Sequence, residues 1–182
     1  MFEKHEINKY MEKQELITEL SKIKEKLLCR KKASLLEMGY HESDELGLYS
    51  IVSETSECAI KGFCGVTFRN NTNIVNYSHC NFYMENKKSN NNYEKGFEEI
   101  AENVVKACKE VFGFHDIDDE PSEFASFLSN KKGDAFIKMY FGITENGKQM
   151  EIIVVCNKNV QSEVGVGITI RNYKRAGKQD GK

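Results

Sequence analysis

Tryptophan is absent from this chain of 182 residues, and proline occurs once, at Pro121. Abundant asparagine, lysine and isoleucine beside that absence point to an AT-rich genome and carry no mechanism. No apolar run is long enough to span a bilayer, which excludes a transmembrane helix. The opening "MFEKHEINKYMEK" lacks the apolar core of a secretory leader, so the chain is expected in the cytoplasm. The net charge of -2 leaves no global field to draw in nucleic acid or a membrane. No GxSxG, HExxH or kinase signature is present. "GVGITI" (165–170) lacks the lysine–serine pair or third glycine of a phosphate loop, and its glycines read as strand positions closely covered by a helix.

What is present suits one soluble domain spanning 1–182, with ordinary apolar (40%) and charged (30%) fractions. Residues 1–40 read as an N-terminal helical region, 41–173 as an α+β body, and 174–182 as a basic, flexible tail. In the first region, Leu16, Leu20, Ile23 and Leu27 recur at helical spacing, widened by Ile17 and Leu28. One long helix over 5–38 is therefore predicted, stopped at Gly39. Such a helix would pack on the body or pair with a second copy, giving a homodimeric regulatory protein.

Six strand-like segments follow: 46–53, 57–70, 72–85, 134–143, 148–157 and 163–173. They are rich in branched and aromatic residues, and "TENGK" (144–148) marks a tight hairpin. "NKKSNNN" (86–92) reads as a mobile polar loop with no core-forming residue. Tyr93 to Phe112 is the strongest helix. Phe97, Ile100, Ala101, Val104, Val105, Cys108, Val111 and Phe112 form one face, and Gly113 closes it. A shorter helix is predicted over 121–128. The expected fold is thus α+β: an antiparallel sheet of about six strands with the long N-terminal helix and two central helices on one face.

The chemistry-bearing candidates are few. Asp116, Asp118, Asp119 and Glu120 precede Pro121, and a helix entry explains them together: proline tolerates the first turn, and acids there complement free amides. A calcium loop needs a spacing and a central glycine that this run lacks. Cys58, Cys64, His79 and Cys80 have the wrong spacing for zinc. The six cysteines read as small buried hydrophobes, and no metal or cofactor is predicted. The enzyme alternative is a cysteine nucleophile, Cys64 in "GFCGV", with His79 as its base.

Charge is segregated along the chain. Residues 21–32 hold six bases against one acid, namely Lys22, Lys24, Lys26, Arg30, Lys31 and Lys32. The end of the chain adds Arg171, Lys174 and Arg175, whereas 94–123 carries ten acids and three bases. Such sections suit docking to a charged macromolecule, the bases to phosphates and the acids to a protein's nucleic-acid channel.

Taken together, "QELITELSKIKEKLLCRKK", "NKKSNNNYEKG", "HDIDDEP" and "RNYKRAGK" give the chain a character that resembles anti-CRISPR proteins inhibiting the type II RNA-guided effector nuclease. The resemblance implies a non-enzymatic inhibitor from a phage or mobile element, acting in a bacterial host cell. Its partner would be the effector nuclease with its guide RNA, double-stranded DNA, or both. It carries no residue-by-residue roles, since the family has no shared signature.

Overall fold

The computed structural model describes residues 10–29, 31–43, 50–52, 63–71, 74–117, 129 and 133–171. Among them, eight antiparallel strands make one sheet. They are β1 (His41–Ser43), β2 (Ser50–Val52), β3 (Phe63–Asn71), β4 (Ile74–Glu85), β5 (His115–Asp116), β6 (Ala135–Ile143), β7 (Gln149–Asn157) and β8 (Glu163–Arg171). Their order is β1-β2-β3-β4-β8-β7-β6-β5. Five long strands, β3, β4, β8, β7 and β6, form its body; β1, β2 and β5 are two- or three-residue additions at the edges. The α+β expectation holds in that form. β2 falls within the predicted 46–53 segment, whereas β1 and β5 were beyond reach, because two or three residues carry no periodicity.

The helices are α1 (Leu16–Leu27), α2 (Lys32–Glu37) and α3 (Tyr93–Phe112), with a 3-10 turn at Lys13–Glu15. After β4 the chain crosses through α3 to the far edge of the sheet, then returns strand by strand until β8 closes on β4. Alternation decides which face of the sheet is covered. On β8, Val164, Val166, Ile168 and Ile170 are buried while the residues between them are half-exposed. In register beside them lie Cys80, Phe82 and Met84 of β4, and Met150, Ile152 and Val154 of β7. α1 and α3 pack together over this face, α1 against β4 and α3 against β6 and β7. The predicted helix over 121–128 lies outside the described residues.

α3 follows its sequence closely. Its eight predicted core residues are all buried, and Gly113 ends it in a left-handed conformation (φ 61°). At its start, the Asn92 side chain accepts from the Glu94 amide at 2.8 Å, satisfying one of the free helix-end donors. The segment before it is a polar loop as expected, but the expectation that it holds no core-forming residue is overturned by Asn86. Asn90 and Asn91 both adopt positive φ (50° and 61°), and Ser89 and Asn92 exchange two backbone hydrogen bonds around them. Asparagine tolerates that conformation better than most residues, so the run is a tight turn and not a tether. Asn86, buried to 2% exposure, belongs to the core and donates to the carbonyls of Tyr93 (3.0 Å) and Gln161 (2.8 Å).

The long N-terminal helix is the main correction. Met11 is extended along β4, its amide donating to the Tyr83 carbonyl at 2.9 Å, which breaks the predicted helix there; its residues 5–9 lie outside the described residues. α1 stops at Leu27, and Lys31 is extended (φ −100°, ψ 123°) before α2 resumes. The predicted stripe of Leu16, Leu20, Ile23 and Leu27 is buried throughout. The stop comes from tertiary donors: the Ser78 hydroxyl donates to the Leu27 carbonyl, and the Lys148 ammonium donates to the Leu28 carbonyl at 2.5 Å. These satisfy carbonyls that a helix end leaves without intrahelical partners.

The turn between β6 and β7 serves both helix ends. Its Glu145 amide donates to Phe112 O at 2.9 Å, its Glu145 side chain pairs with Lys24, and its Lys148 reaches Leu28.

Candidate interaction surfaces

The predicted basic run sits at the α1–α2 corner, but its α1 members are already engaged. Lys22 Nζ lies 2.5 Å from Glu19, Lys24 Nζ lies 2.9 Å from Glu145, and Lys26 sits over the Tyr40 ring at 5.8 Å. Lys31 is exposed and Lys32 half-buried. Arg171 ends β8 in register with Tyr77 and Gln149, at the end of the sheet where Ser78 and Lys148 meet Leu27 and Leu28, and by alternation with buried Ile170 it falls on the opposite face. Arg30, Lys174 and Arg175 lie outside the described residues.

Of the predicted acids, Asp116 is described, and it is not a helix cap. It belongs to β5, paired with Gly142 of β6. An edge strand wins there because Gly142 leaves room for the backbone of His115 and the Phe114 ring. A Cβ at Gly142 would collide with the His115 carbonyl and come within 2.5 Å of Phe114 Cε2. Asp118, Asp119, Glu120 and Pro121 lie outside the described residues. The exposed Asp116 carboxylate is 3.7 Å from Lys109, and Glu98 is 3.9 Å from Lys138.

Charge that is segregated in sequence is thus interleaved in space. Lys13 pairs with Glu99 at 3.6 Å, Lys24 with Glu145 and Lys138 with Glu98, all far apart in the chain, while Lys109 and Asp116 pair within the acid-rich segment itself. Exposed pairs of this kind contribute little to stability, because water and salt screen them. Their larger consequence is to cancel the local field that a charged partner would sense.

One feature of the α3–β6 corner escaped the sequence reading. The half-buried Tyr140 phenol is held above its ordinary titration range, first by burial and then by the carboxylates of Glu102, Asp116 and Glu98. These residues lie on three different elements, so no local pattern could have grouped them. Glu102→Gln removes one negative charge near the phenol and should ease its ionisation. An NMR titration of Tyr140 should move towards the ordinary tyrosine value, and an unmoved midpoint would refute the grouping.

The Cys64–His79 pairing has little support in the register. Cys64 falls where β3 skips a position, between Phe63 opposite Phe82 and Gly65 opposite Asn81, whereas His79 pairs with Thr67. The imidazole turns to the other neighbour, with Nδ1 and Thr169 Oγ1 sharing a hydrogen bond at 2.8 Å. Its ring lies over Gly167, where an added Cβ would come within 3.2 Å of Cε1, and Tyr83 lies similarly over Gly165. The glycines of "GVGITI" are therefore covered by aromatic rings from β4, not by the helix expected from their spacing. Side-chain rings from the neighbouring strand fill the space that a missing Cβ leaves.

Cys80, Cys108 and Cys156 are buried as expected, while Cys29 is half-exposed. Burial pushes the Cys108 thiol well above its usual range, and neighbouring Cys80 adds to the effect. A thiol raised in the folded state keeps its proton while the unfolded thiol loses its own. Stability should therefore fall as pH climbs past the ordinary thiol range. Alkylation of the folded protein with iodoacetamide, mapped by peptide, should mark Cys29 well before Cys108. Equal rates at the two positions would contradict this burial. No group of three or more metal-ligating side chains occurs among the described residues.

The described surface also exposes large apolar side chains. They are Leu36 (42%) and Met38 (48%) on and just beyond α2, Ile17 (38%) on α1 and Val160 (53%) before β8. No helix among the described residues is long and apolar enough to cross a membrane. No protein-family model, curated protein or solved structure matches the chain.

Proposed function

We propose that this chain is a non-enzymatic binding protein whose contact face is the α1–α2 corner and whose partner is a protein. The carrying observation is the exposure of Leu36 on α2 and of Met38 just after it, with Lys31 exposed ahead of the helix. Apolar side chains left in water beside a charge are what a docking surface offers a partner. A duplex is the weaker reading, because Lys22, Lys24 and Lys26 are turned to carboxylates and a ring within the protein.

The sharpest form of the proposal takes its partner from the sequence resemblance: inhibition of the type II CRISPR effector nuclease loaded with its guide RNA. The test adds purified chain to that complex and follows both association and cleavage of a target duplex. Binding with loss of cleavage is expected, and Leu36→Asp with Met38→Asp should weaken it by roughly tenfold or more. Absence of binding removes the nuclease from the proposal. Binding that ignores the double substitution but is lost on Asp116→Lys would transfer the contact to the acidic β5 edge.

A further inference from the structure

We draw no further inference here: the strongest candidate, the half-buried apolar second face of the sheet carried by Ile137, Met139, Phe141 and Ile143 on β6 with Ile153 and Val155 on β7, carries nothing because no described residue shows what covers it.

Discussion

Gly96→Ala is expected to lower the unfolding free energy by about 2 kcal/mol, although helix propensity argues for the opposite sign. Alanine inside a helix is favoured over glycine by about 1 kcal/mol. Gly96, however, lies in the first turns of α3 against the chain segment that leaves β4. A Cβ there would fall inside contact distance of both the Lys87 carbonyl oxygen and Asn86 Oδ1. Neither neighbour yields easily: the first is backbone, and the second belongs to a buried side chain held by Tyr93 and Gln161. Forcing one carbon into such a site costs about 1–3 kcal/mol and occasionally more, so the clash outweighs the propensity. For a domain of this size the melting midpoint should drop by roughly 4–8 °C. Gly133→Ala, at a position with open space around it, serves as the control and should leave the midpoint nearly unchanged. A stabilised Gly96→Ala protein would mean that α3 does not approach the 86–87 segment as described.

Lys148→Met should destabilise the protein by about 1.5–2 kcal/mol, with the damage concentrated at the end of α1. The side chain is only 7% exposed, and its ammonium donates to the Leu28 carbonyl. Methionine keeps most of the apolar stem and removes the charged donor, leaving a helix-end carbonyl without that partner. Hydrogen bonds to charged groups contribute about 1.5–3 kcal/mol, and the relief of desolvating the ammonium offsets part of the loss. Hydrogen exchange locates the effect. Amides in the last turn of α1 and in the turn carrying Glu145 should exchange faster, while the middle of α3 stays protected. Ser78→Ala removes the donor to the adjacent Leu27 carbonyl, and its combination with Lys148→Met should be non-additive because both act on one helix end. Native stability with unchanged exchange along α1 would show that the helix stops there for another reason.

These two sites also mark where sequence reading stops being informative. α3 was legible because its information is local: eight apolar residues recur at helical spacing, an asparagine precedes them and a glycine follows. The long strands were legible for the same reason, since alternation on β8 maps directly onto one buried and one half-exposed face. The break after α1 was not, because the donors to Leu27 and Leu28 come from residues 51 and 120 positions away. Asn86 read as loop filler for a similar reason. An asparagine between a strand and a polar run looks the same whether its amide meets water or two buried carbonyls.

For the candidate surface the gap was wider. The base-rich 21–32 and acid-rich 94–123 segments are segregated in the chain, yet pairs such as Lys24–Glu145 and Lys13–Glu99 exist only after folding. Asp116 looked like a helix cap because an acid before proline is compatible with one; pairing with Gly142 placed it on a sheet edge instead. Leu36 lay inside the predicted 5–38 helix but outside its named apolar stripe, and its exposure is visible only in the fold.

By itself, the order of residues determined that this protein has a buried α3, an α1 stripe that must face a core, and long strands with one covered side. Those outcomes follow from periodicity, which the backbone reads within a few residues. The tertiary structure alone decided where α1 ends, which charges neutralise one another, and which apolar side chains remain in water. Each of these depends on groups far apart in the chain coming within a few ångströms, and short-range patterns carry no information about such distances.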